Sequence, residues 1–168
     1  NKGSEDVVLV SLDNGIGDIA GNPTDIHDEI SHVENKTAKN NRDARHHGHQ
    51  AMSVMSSKHD NQNLAGIAPG SQLWAYNVYD SGTSLYEAIE DAKDDRNCSE
   101  RLVFQGGIQG NSWWTNGATK AEMQTALDET ADYGFFAIAA GNYYDKDSVS
   151  GIAQAESTND NIASVGAL

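Results

Sequence analysis

Val7–Leu12, VVLVSL, is an unbroken apolar and β-branched run, the mark of a strand buried on both faces. Ser71–Tyr79, SQLWAYNVY, alternates more and follows the turn Ala68-Pro69-Gly70. Arg101–Phe104 and Phe135–Ala140 are two more short apolar runs, each leading to glycine, and Asn161–Leu168, NIASVGAL, is a last candidate strand. Between these runs the period lengthens. In Ser84–Ala92 the apolar Leu85, Ala88, Ile89 and Ala92 fall at i, i+3, i+4 and i+7, which predicts a helix. Thr119–Tyr133 predicts a second, with Met123, Ala126, Leu127 and Thr130 on one side and Gly134 placed to end it. Ala51–Met55 predicts a shorter one just after a cluster of histidines. Strands alternating with helices imply crossover units, hence an α/β fold with a mostly parallel, doubly wound sheet and helices on both faces. Neither a repeat nor a linker interrupts the pattern, so residues 1–168 read as one domain.

In such sheets the chemistry gathers at the carboxyl ends of the strands. That directs attention to Asp13, to the glycines at Gly106–Gly110, and to Gly141-Asn142. Composition narrows the chemistry. Eleven Lys and Arg against 25 Asp and Glu give a formal charge of −14, which repels a phosphate backbone, so a nucleic-acid partner is not expected. No apolar run nears the roughly 20 residues of a membrane helix, so a membrane partner is not expected either. The start of the chain lacks a leader pattern, which reads as a signal peptide absent or already removed. Cys98 is the sole cysteine and lies in a polar stretch, so it reads as a free, partly exposed thiol.

Gly15-Ile16-Gly17-Asp18-Ile19-Ala20 fits a dinucleotide fingerprint in form. A pyrophosphate needs a helix opening there, and Asn22-Pro23 arrives instead, so the glycines read as a turn. His46, His47 and His49, with His27 and His32 upstream, offer zinc ligands, but HExxH is absent. Asp13, His47 and Asn142 form a more coherent set. A carboxylate that orients an imidazole, an imidazole that takes a proton, and an amide that donates to an oxyanion make most of an acyl-transfer site. Ser84 belongs to Gly82-Thr83-Ser84, yet Ser84-Leu85-Tyr86-Glu87 fits the capping box S-x-x-E, and a cap accounts for Ser84 without chemistry.

VVLVSLDNGI, HGHQAMSVMSS, LAGIAPGSQLWAYNVYDSG, GFFAIAAGN and NIASVGAL follow one another in order along the chain. Together they resemble the subtilisin-like serine peptidases over essentially its whole length. The resemblance implies that Asp13 is the catalytic aspartate, His47 the histidine and Asn142 the oxyanion-hole asparagine. It implies a secreted endopeptidase whose substrate is a peptide or protein, with Gly107, Ile108 and Gln109, and Gly82 on an opposite edge strand, pairing with an extended peptide. His49, Gln50 and Ser53 depart from the family pattern in the histidine helix. In the family the Gly-Thr-Ser of the nucleophile follows the asparagine, whereas Ser84 precedes Asn142. This chain is therefore expected to be the N-terminal portion of the catalytic domain, inactive by itself. The serine would lie on a missing segment or a companion chain, and an apolar surface would be left open where its helix packs. A serine-less relative that binds a peptide or prodomain is the alternative, and a nucleotide-binding α/β domain the lesser one. No cofactor is expected for the chemistry. A structural calcium ion is an expectation of the family for the loop around Asp60, with Asp25 or Asp28 adding a second carboxylate.

Overall fold

Val7–Asp13 forms β1, and its alternating side chains serve two cores at once. Val8, Val10 and Leu12 enter a large core on one side of the sheet, and Leu9 enters a smaller one on the other. The computed structural model describes residues 2–17, 30–37, 47–61, 64–79, 82–108, 118–142 and 151–166. Within them follow β2 (Val33–Asn35), α1 (His47–Ser56), β3 (Gln72–Asn77), α2 (Leu85–Asp95), β4 (Arg101–Gly106), α3 (Lys120–Glu129), β5 (Gly134–Ala139), a 3-10 helix (Gly151–Ser157) and β6 (Ile162–Val165). The strands form one sheet in the order β2-β3-β1-β4-β5-β6, and every neighbouring pair is parallel.

Helices cover both faces, as the pattern implied. The apolar stripe of α2 (Leu85, Ala88, Ile89, Ala92) and that of α3 (Met123, Ala126, Leu127) share the large core with Phe104 and Phe136, whose rings stack at 4.2 Å. Met52 of α1 packs on the other face with Leu9, Leu73 and Ala75. From β1 the chain first builds outward through β2 and β3, then crosses to build β4, β5 and β6 on the other side. The order reverses between β1 and β4, so the crevice of the sheet opens at their carboxyl ends.

Several boundaries differ from the sequence expectation. β4 runs two residues further, through Gln105 and Gly106, because both stay in register with β1 and β5, and Ser11 Oγ donates to Gln105 Oε1 at 3.2 Å. α1 begins at His47 itself, not after the histidines. Gly134 opens β5 and does not cap α3, which stops at Glu129. There the Thr130 hydroxyl donates to the Leu127 carbonyl at 2.7 Å and competes with the next helical turn. β2 and the 3-10 helix were not foreseen, being too short to show a period.

Candidate functional site

Strand parity sets the site. Asp13 ends β1 on the same face as Leu9, so its side chain turns toward α1. It is 1% exposed, and both carboxyl oxygens have partners. The Asn14 backbone N–H donates to Oδ1 at 2.8 Å, and His47 Nδ1 lies 2.7 Å from Oδ2. Because Asp13 accepts on both oxygens, the proton of this bond sits on His47 Nδ1, which leaves Nε2 with its lone pair. The His47 side chain is 66% exposed, so the ring is open to solvent. An imidazole held in this tautomer can take a proton from a hydroxyl and return it.

Two glycines allow the approach. Gly48 follows His47 in the first turn of α1, and a Cβ there would stand 2.8 Å from both Asn14 Oδ1 and the Gly15 carbonyl. Gly107 follows β4, and a Cβ there would overlap Asp13 Oδ2 and come within 2.6 Å of His47 Cε1. Gly107 thus lies against the Asp13–His47 pair at the switch point. Ile108 buries its side chain in the large core, which leaves only its backbone to meet a peptide. Tyr79 Oη donates to the Gly107 carbonyl at 3.1 Å. Gln109 lies outside the described residues. Gly82 is corrected: it lies on no strand but in the turn before α2, with φ +91°. Nor is β3 an edge, because β2 pairs along its outer side.

Asn142 follows β5 just after Gly141, whose φ of +101° turns the chain. It is exposed on the same edge of the sheet as Asp13, with β4 between their strands. His49 is buried, and its Nδ1 accepts the Gly17 N–H at 3.2 Å. The larger side chain at this position therefore ties α1 to the turn after β1. Residues 14–17 contain no helix, and residues 18–29, where a helix of the dinucleotide fingerprint would run, lie outside the described residues. His32 has φ 50° and lies before β2, and His27 and His46 lie outside the described residues. Among the described residues no group of three or more His, Cys, Asp or Glu side chains converges to hold a metal ion. Asp60 is exposed in the loop after α1, where the nearby Gly66 carbonyl is bonded to His59 Nε2 at 2.7 Å, and Asp25 and Asp28 lie outside the described residues. Cys98 is free and exposed.

Ser84 caps α2. Its hydroxyl accepts the Glu87 N–H at 3.1 Å, and its own N–H donates to Glu87 Oε2 at 2.7 Å. The Ser84 N–H, and after it the hydroxyl, hold the Glu87 carboxyl below its ordinary value of 4.5. A lowered carboxyl stabilises the fold above that ordinary value and loses its contribution as pH falls through the folded value. Ser84→Ala is expected to cost about 1 kcal/mol in urea unfolding near neutral pH, and less at pH well below 4.5, once the pH has fallen through the lowered Glu87 value and the carboxylate part of the box is lost.

Sequence reasoning missed Asn14. Its Oδ1 accepts the Gly48 N–H at 2.8 Å across 34 residues. The run Asp13-Asn14-Gly15 signals only a turn, and nothing local says where its amide reaches.

Beside α1 the same face of the sheet continues over β5 and β6 as Phe135, Ala137, Ala139, Ala163 and Val165. Phe135 is 43% exposed and Val165 57%, whereas Phe136 and Ile162 behind them are buried.

Comparison with known proteins follows the same lines. The family model of the subtilase family, Peptidase S8, matches residues 5–168. Among solved structures, the chain is similar to the prenylagaramide maturation protease PagA, at 20% identity and a TM-score of 0.56 over 84% of this chain and 48% of that one. It is also similar to the MycP3 protease from the type VII (ESX-3) secretion system, at 15% identity and a TM-score of 0.51 over 83% and 42%. The chain thus spans less than half the length of either. A search of curated proteins finds no match. The matched family and the shared sheet agree, and the chain belongs to the subtilase family of serine peptidases.

Proposed function

We propose that this chain supplies the base and the oxyanion donor of a peptide-bond hydrolase that works through an acyl-enzyme. The observation that carries the reading is the 2.7 Å contact between His47 Nδ1 and the buried Asp13 Oδ2 at the switch point of the sheet. His47 Nε2 takes the proton of a serine hydroxyl as its oxygen attacks the scissile carbonyl carbon. Asp13 holds the imidazole in that tautomer and stabilises the imidazolium. Asn142, with a backbone N–H, donates to the oxyanion. The tetrahedral adduct collapses, the amine leaves with the proton from His47, and water releases the acyl group by the reverse order of proton transfers.

The serine lies outside residues 1–168, on a continuation of the chain or on a companion polypeptide. Two features support this. The one Gly-Thr-Ser of the chain ends in a buried helix cap. The face of β5 and β6 beside α1 offers apolar side chains on which a further helix can pack. A fluorophosphonate, which esterifies an activated serine, tests the reading by denaturing mass spectrometry of the native protein. The label is expected on a serine outside these 168 residues, and no label at all would sink the hydrolase reading in favour of a peptide-binding relative.

A further inference from the structure

We propose that Asn14 is a positioning residue for His47, an inference that rests on the acyl-transfer reading above. The bonds around the pair form a closed ring. Asp13 Oδ1 accepts the Asn14 backbone N–H, Asn14 Oδ1 accepts the Gly48 N–H, Gly48 is covalently joined to His47, and His47 Nδ1 returns to Asp13 Oδ2. One residue therefore grips the carboxylate with its backbone and the histidine's helix with its side chain.

The ring matters because the His47 side chain is 66% exposed, so packing, which includes the close approach of Gly107, holds the imidazole only in part. Its position follows from where the first turn of α1 begins. The first N–H groups of a helix have no partner within it, and a side-chain oxygen commonly takes one of them. Here that oxygen comes from a different element, so capping the helix and docking it on β1 are the same event. The fit is close: a Cβ on Gly48 would stand 2.8 Å from Asn14 Oδ1 and 3.0 Å from Asp13 Cβ. A neutral amide also supplies the acceptor without adding a second carboxylate beside Asp13.

The test is NMR on the native protein, with any further segment it carries, reading the Gly48 amide and the His47 ring proton on Nδ1. In the wild type the Gly48 amide is expected to exchange slowly and the ring proton to be strongly deshielded. Asn14→Ala is expected to speed Gly48 exchange about tenfold, the equivalent of one net hydrogen bond, and to erase the ring signal while the amides of Leu9, Leu73 and Met52 keep their protection. A purely structural role would move all of these together. In the serine-complete enzyme the same variant is expected to lower kcat by about 10²-fold with KM little changed, as a misplaced catalytic group does. Asn14→Asp keeps the acceptor and is expected to keep Gly48 protected, which decides the matter if Asn14→Ala does not fold. Gly48 exchanging like an unstructured glycine in the wild type, or an Asn14→Ala protein with Gly48 and His47 signals unchanged, would overturn the proposal. These readouts need no serine: they can succeed while fluorophosphonate labelling fails, or fail while it succeeds, so the two readings are separable.

Discussion

Asp13→Asn is expected to lower the turnover of the serine-complete enzyme by about 10⁴-fold while leaving the sheet intact. The size follows from the tautomer, and the local geometry says why the amide cannot escape it. Oδ1 of residue 13 is held by the Asn14 N–H, which requires an acceptor there. An asparagine must then place its nitrogen where Oδ2 now meets His47 Nδ1. That nitrogen donates, so Nδ1 must accept, and the ring proton moves to Nε2, the atom that has to take the serine's proton. The variant is isosteric, so the thermal midpoint is expected to stay close to that of the parent. Steady-state hydrolysis of a peptide substrate beside a thermal melt checks both halves, and unchanged kcat would remove Asp13 from the mechanism.

Gly107→Ala is expected to have the second largest effect. The new methyl group cannot coexist with Asp13 Oδ2 and His47 Cε1 where they stand. Asp13 is buried at the end of a central strand, whereas the imidazole is exposed, so the ring is the part that moves. Loss of an oriented base costs about 10²–10⁴-fold in rate, and the overlap itself about 1–3 kcal/mol of stability. Turnover and urea unfolding measured together separate these contributions. A Gly107→Ala protein with parental kcat would mean that the pair does not sit against β4 during catalysis.

Much of this was legible in the sequence because the informative segments are ones that must be buried or must turn. The run VVLVSL can only be a central strand, and a central parallel strand delivers its last residue, Asp13, to the crevice. The helix at Leu85–Asp95 was marked by both its apolar spacing and its capping box, so Ser84 was readable as a cap. The failures share a cause. The resemblance puts Gly82 on an edge strand, but β3 ends at Asn77 and Gly82 stands in a turn with φ +91°. The outer side of β3 is paired by Val33–Asn35, too short a run to show in the sequence. The start of α1 was placed too late because the cap that fixes it, Asn14, lies on another element and leaves no trace next to His47. For Gly107 the resemblance implies pairing with substrate, and the structure adds a separate need for glycine there, the proximity of Asp13 and His47, which come from two other segments. Period and turn chemistry report local needs, and contacts between distant segments report nothing locally.

The most direct measurement is the rate of fluorophosphonate labelling in the native protein, compared with the His47→Ala variant. With the wild type, the label is expected on a serine outside residues 1–168. With His47→Ala, labelling is expected to fall by at least about 10³-fold, because a serine without its base is barely nucleophilic. Label on Ser84, or labelling that proceeds equally without His47, would contradict the account.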